Sequence, residues 1–145
     1  MKICTDHKLI ENKCKDIEDI SQGIKIANKM IINTCLTGKN RSVIIGLAHN
    51  QVFGNYNIFV AKLDNKWKAF INPKIMDAKN STTYIESCMS FPGKENKVNR
   101  FQDIVLQHYT ENGMIVEKFS GQNAQIIQHE IDHLNGIHIF NKGDK

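Results

Sequence analysis

The pentapeptide His129-Glu130-Ile131-Asp132-His133 constrains this chain more than any other feature. Two histidines four positions apart share one face of a helix, so both imidazoles can reach a single metal ion. The flanking residues agree with a helix here. Gly121 precedes a predicted helix over 122–135, and Gly136 stands just past its end. In such a motif Glu130 sits beside the water on the metal, where it can take a proton and later deliver it to a leaving group.

The other elements follow from periodicity. Ile20, Ile24, Ala27, Ile31 and Cys35 fall on one helical face, which predicts a core-packing helix over 16–35, capped by Asp16 or Asp19 and ended by Gly38. Residues 1–15 read as an irregular lead-in. Strands are predicted over 57–63 and 66–72, joined by a tight turn at Asp64-Asn65. Another strand is predicted over 82–91, with Pro92-Gly93 as a turn after it, and a second hairpin over 101–109 and 114–119. A helix, then strands, then a helix is an α+β order. The expected fold is antiparallel sheets packed around a central H-E-x-x-H helix, with an N-terminal helix. The 145 residues suit one domain, 1–145, with one core.

Composition excludes several classes. Hydrophobic residues make up 41% and charged residues 23%, an ordinary globular balance. The longest compact apolar run, Val43 to Ala48, is interrupted by Gly46 and is far too short to span a bilayer. The N-terminus has no apolar targeting region, so a protein of a reducing compartment is expected, with Cys4, Cys14 and Cys35 as free thiols. The net charge of +4 permits weak contact with a ribosome or nucleic acid, but no basic stripe with interleaved aromatics marks a nucleic-acid binder.

The pentapeptide alone also arises by chance, and a catalytic metal needs a third protein ligand. A downstream ligand is poorly supported. The metzincin spacing would place a histidine at position 139, which is Ile139, and His138 falls one residue early. Beyond Gly136 the one carboxylate is Asp144. Upstream, Cys88 stands in Glu86-Ser87-Cys88-Met89-Ser90, and a thiolate is a strong ligand for a soft or borderline metal. Taken alone, Cys88 would read as a small buried hydrophobe.

Three segments together change that reading. Gly46-Leu47-Ala48-His49-Asn50-Gln51 resembles the first signature motif of the peptide deformylase family, G-x-G-φ-A-A-x-Q. Glu86 to Ser90 resembles the second, E-G-C-L-S, and Gln128 to Gly136 matches the third, Q-H-E-x-D-H-L-x-G. Phe70-Ile71-Asn72-Pro73 resembles the family's I-N-P segment, and the likeness runs from about Ser42 to Gly136.

The resemblance implies a hydrolase that removes the formyl group from the N-terminal formylmethionine of new peptides. It implies one divalent metal on Cys88, His129 and His133, natively Fe(II), with Zn(II), Ni(II) or Co(II) able to occupy the site. Glu130 is then the general base and acid. Gln51 and the backbone N–H of Met89 stabilise the oxyanion, and Glu86 pairs with Arg100 to steady the cysteine segment. Ile45 and Gly46 pair with the substrate backbone, Ile126 helps line the methionine pocket, and Asp132 supports a ligand histidine or faces solvent. The implied setting is a monomer in the cytoplasm, of a bacterial host if phage-encoded, with transient ribosome contact and no membrane or specific nucleic-acid partner. The short tail after Gly136 resembles phage forms that lack a C-terminal helix, which would weaken ribosome docking, and residues 141–145 are expected to fray. Departures from the motifs are Ile44 and Ser87 where glycines are usual and His49 where alanine is usual. A peptidase using the same pentapeptide, or a non-enzymatic binding module on this fold, are the competing readings.

Overall fold

The computed structural model describes residues 1–142. Five strands form one antiparallel sheet in chain order: β1 (Gly46–Ala48), β2 (Ile58–Leu63), β3 (Lys66–Ser87), β4 (Glu95–Thr110) and β5 (Gly113–Ser120). Three helices accompany it: a single turn α1 (His7–Ile10), α2 (Ile20–Met30) and α3 (Gly121–Leu134). Asp64 and Asn65 have φ of 52° and 66°, the left-handed pair that a two-residue hairpin between twisted strands requires.

The sheet departs from expectation in one respect. The predicted strands 66–72 and 82–91 are parts of one strand, β3, which ends at Ser87; Met89 and Ser90 already turn. The pairing of β3 with β4 shifts between Ile71 and Lys74 and again between Ile75 and Asp77. Such irregularities bend and twist a strand. The sheet then reaches α3 from β1 and β2 as well as from β4 and β5, the expected antiparallel sheet packed around the H-E-x-x-H helix.

β2 shows why these residues form a central strand. Ile58 and Val60 face the layer of α2, with Ala27, Met30 and Ile71. Phe59, Ala61 and Leu63 face the opposite way, into a core with Phe70, Leu106, Ala124, Ile127 and Leu134. Alternation in a strand buried on both faces gives a continuous apolar run. All five residues of the predicted helical face, Ile20 to Cys35, lie in or against the α2 layer. Asp19 caps α2, accepting from Gln22 N–H at 3.3 Å, whereas Asp16 accepts from Asn57. The helix continues as a π-helical turn, Ile31–Leu36. Gly38 follows because a Cβ there would lie 2.4 Å from Thr34 O.

α3 runs through the middle of this arrangement, and its C-terminal carbonyls have no partners within the helix. Segments before and after the helix supply donors. Cys14 N–H donates to Leu134 O at 2.8 Å, Asn50 Nδ2 to His133 O, and Ile137 N–H to Asp132 O. The irregular lead-in is therefore a strap: Cys4 N–H also donates to Gln51 O at 2.6 Å, and Glu11 meets His138 at 2.9 Å. The expected fraying of Asn141 and Lys142 does not hold. Asn141 accepts from His138 N–H, and Lys142 Nζ lies 2.9 Å from Asp132. Residues 143–145 lie outside the described residues. Among the described residues no helix is long and apolar enough to cross a membrane, and all four cysteines are free and buried.

Candidate active site

β1, the end of β3 with the turn after it, and α3 converge on a cleft of about 240 Å³. Its lining includes Ile45, Gly46, Gln51, Cys88, Met89, Ile126, His129 and Glu130. The cysteine comes from the turn that closes β3, and the histidines come from one face of α3. The potential ligand atoms of Cys88, His129 and His133 all lie within 4.8 Å of one another, with Cys88 Sγ 3.1 Å from His133 Nε2. A thiolate with two imidazoles suits a borderline divalent ion such as zinc or ferrous iron. His133 is fully buried and its Nδ1 has no hydrogen-bond partner. Burial and the charge of His129 hold it well below the ordinary histidine value, which leaves a neutral ring able to ligate. The donor set fits a metal.

His129 is held differently. Its Nδ1 hydrogen-bonds Glu86 Oε1 at 2.7 Å, which turns the other ring nitrogen toward the cluster. Burial would lower its pKa, but contacts with Cys88 and Glu86 outweigh burial and push it up to about 10. A histidine that ligates a metal must be neutral, so metal uptake at this ring would release a proton.

Glu86 is the hub beneath the cleft. Arg100 grips it through two bonds, Nε to Oε2 at 3.0 Å and Nη2 to Oε1 at 2.8 Å, and Gln125 donates to Oε2 at 3.0 Å. Both charged residues are buried. Burial would raise the Glu86 carboxyl, but the bonds from His129 and Arg100 hold it well below the usual range. Arg100 also bonds Asp132, and Lys142 approaches from the other side. Asp132 therefore neither faces open solvent nor hydrogen-bonds a ligand imidazole. It completes the arginine's environment.

Glu130 is 4% exposed, and its Oε1 has no partner. Burial pushes its pKa up to about 7, against the lowering influence of His129 and Arg100. A carboxyl poised near neutrality can both accept and return a proton. Its other oxygen would stand 2.5 Å from a Cβ on Gly46. The motif glycine is thus a space for the carboxylate.

Gln51 is 2% exposed and its amide is oriented by its neighbours. Oε1 accepts from Ala48 N–H at 2.9 Å, while Nε2 donates to Ser90 Oγ at 3.2 Å and faces Cys88 Sγ at 3.5 Å. Ile126 is both cleft lining and core.

The motif departures are accommodated. Ser87 pairs with Glu95 in extended strand, and neither it nor Ile44 has positive φ. Ile44 is 3% exposed in the α2 core. His49 stands outside the ligand cluster. Its Nδ1 accepts from Tyr56 N–H at 3.1 Å and its ring stacks on Tyr56. It occupies the space above Gly54, where a Cβ would lie 2.0 Å from its Nε2.

Sequence reasoning missed Gln125, Ser90 and Gln128. Gln128 accepts from Phe101 N–H at 2.8 Å and donates to Phe101 O at 2.7 Å, tying α3 to β4 beside Arg100. The signal for Gln125 was available: it lies four residues before His129 on the same helical face.

Comparisons with known proteins agree with this geometry. The profile of the family described as polypeptide deformylase matches residues 1–145. Peptide deformylase 1 of Clostridium perfringens is 33% identical over 135 residues, covering 91% of this chain and 89% of that protein. The peptide deformylase of Borreliella burgdorferi is 36% identical over 138 residues, covering 89% and 78%. The crystal structure of the Thermotoga maritima peptide deformylase superposes with a TM-score of 0.85 at 27% identity, covering 97% of this chain and 95% of that one. A probable peptide deformylase from Synechococcus phage S-SSM7 gives 0.84 at 27% identity, covering 97% and 98%. The chain belongs to the peptide deformylase family, enzymes that remove the formyl group from N-terminal formylmethionine.

Proposed function

We propose that Cys88, His129 and His133 hold one divalent ion, Fe(II) natively, with Zn(II), Ni(II) and Co(II) as substitutes, and that Glu130 carries the protons of deformylation. The carrying observation is the coincidence, in one cleft, of the three potential ligand atoms within 4.8 Å and the buried carboxyl of Glu130. When bound, such an ion supplies Lewis acidity and makes water a competent nucleophile near neutral pH.

The chain's own residues do the rest. Glu130 takes a proton from the attacking water and returns it to the leaving amine nitrogen, giving formate and a free N-terminal methionine. The Gln51 amide and the Met89 N–H meet the oxygen that gains charge as the formyl carbon becomes tetrahedral. Glu86 and Arg100 fix the cysteine segment and orient His129. The substrate peptide lies along β1 as an added strand. Ile45 O already accepts from Lys62 N–H at 2.8 Å, so alternation along the strand leaves the N–H and C=O of Gly46 on the open edge. Ile45 and Ile126 contribute to the apolar wall for methionine. We place this activity in one domain, 1–145, acting as a cytoplasmic monomer on chains leaving the ribosome, with only transient ribosome contact.

The test is formate release from a formyl-Met-Ala-type peptide by protein purified without oxygen and loaded with Fe(II). Turnover is expected in the parent and background rates in Cys88→Ala, together with loss of bound metal. A Cys88→Ala protein that keeps its metal and its rate would refute the ligand assignment. Gly46→Ala is expected to retain metal but lose on the order of 10²-fold in rate, because its Cβ displaces Glu130 by a fraction of an ångström or more. An unchanged kcat would show that the carboxylate has room to spare.

A further inference from the structure

We infer that Asn50 is a positioning residue for the metal ligands, an inference that rests on the ligand assignment proposed above. Asn50 lies in the 3₁₀ turn His49–Val52 that follows β1, and it is 3% exposed. Its Nδ2 donates to His133 O at 2.5 Å and to Ile10 O at 3.3 Å. Both partners are carbonyls, which accept only, so the amide cannot be flipped. Its Oδ1 is then left buried with no partner. A buried acceptor without a donor is unfavourable, and an aliphatic side chain of similar size would avoid it. What an aliphatic residue cannot do is supply the two hydrogens that bind the ligand helix and the lead-in strap at once.

The position of those bonds gives them a consequence. His133 O belongs to the backbone of a proposed ligand, in the last turn of α3, where it also accepts from Gly136 N–H at 2.9 Å, so Asn50 Nδ2 is its second donor and ties that turn to the segment after β1. The next residue, Gln51, reaches the other way, to Ser90 and toward the Cys88 sulfur. Asn50-Gln51 therefore spans the site: one amide sets the height of the histidine helix, and its neighbour touches the cysteine turn. Moving the 3₁₀ turn changes the Cys88–His133 separation, which is the separation that ligation must hold.

The experiment compares the parent with Asn50→Ala and Asn50→Asp, using Co(II) as probe. Cobalt affinity is read by chelator competition, the thiolate-to-cobalt absorption band reports geometry, and thermal melting is measured on metal-free protein. Asn50→Ala is expected to weaken Co(II) binding by about 10-fold or more and to shift the band. Asn50→Asp keeps the size but replaces the donor with an oxygen facing two carbonyls, and is expected to be at least as weak. Should Asn50→Ala not fold, Asn50→Ser, which retains one donor, carries the same comparison at smaller amplitude. Co(II) affinity within twofold of the parent and an unchanged band, whatever happens to the melting temperature, would reduce Asn50 to a fold staple and overturn the inference alone. A parent that binds no Co(II), or binds it equally without Cys88, would overturn the ligand assignment and this inference with it.

Discussion

Replacing Glu130 with glutamine is expected to lower formate release by about 10²-fold or more, the usual scale of general acid–base help. The substitution keeps the shape of the side chain and removes its capacity to take a proton. Glu130 is buried, one oxygen has no partner, and it belongs to no ion pair among the described residues and is not one of the three proposed ligands. Metal content should therefore stay at the parent level, and thermal stability should hold or rise slightly, since a buried ionisable group without an ion-pair partner is replaced by a neutral one. The informative measurement is kcat beside metal stoichiometry on one preparation. Full metal with a rate within a few-fold of the parent would remove Glu130 from the proton path.

Arg100→Met is expected to cost roughly 3–5 kcal/mol of stability, the cost of breaking a buried ion pair from one side. The loss exceeds one pair, because Arg100 grips both oxygens of Glu86 and also Asp132. With methionine there, the Glu86 carboxylate keeps only His129 and Gln125 as partners in a buried position. The double variant with Glu86→Gln is expected to recover part of the loss, because the uncompensated charge goes too. Denaturant unfolding of the metal-free proteins checks both statements, and a single variant within 1 kcal/mol of the parent would show the pair to be dispensable.

The same pair makes stability depend on acid. Burial would raise the Glu86 pKa, but the bonds from His129 and Arg100 hold it well below its ordinary value of 4.5. A group depressed in the folded state contributes stability above its unfolded pKa and loses it as pH falls through the folded one. The contribution is thus complete above about pH 5 and declines below about 4.5. In Arg100→Met this acid-dependent component should shrink.

Much of this molecule was legible before its coordinates. The third motif announced a helix, and the spacing of its histidines announced a shared ligand face. Asp64-Asn65 announced a tight hairpin because few residues tolerate two successive left-handed positions. What stayed hidden was non-local. β3 reads as two strands in the sequence because Pro73 and the irregular mix of apolar and polar residues over 74–81 interrupt the alternation, and pairing along β4 carries the strand through. Asp132 was assigned to a histidine or to water because its neighbours in sequence are histidines, whereas its partners, Arg100 and Lys142, come from β4 and from the tail. The lead-in of residues 1–15 holds one helical turn, α1, too short to show an apolar period, and is otherwise fixed by bonds such as those of Cys4 N–H to the 3₁₀ turn and Cys14 N–H to α3.

The central position of α3 has a consequence for the order in which the molecule can be made. Synthesis delivers all five strands before residue 121, so for that interval Phe59, Phe70, Ile104 and Leu106 have no cover on the α3 side. The helix that carries Glu130 and two of the three proposed ligands, His129 and His133, is also the piece that shields this greasy face. Solubility and competence for chemistry therefore arrive together, and late. On the proposed assignment, a chain that stalls short of α3 exposes this face and lacks Glu130, His129 and His133, so it is expected to be both sticky and inert.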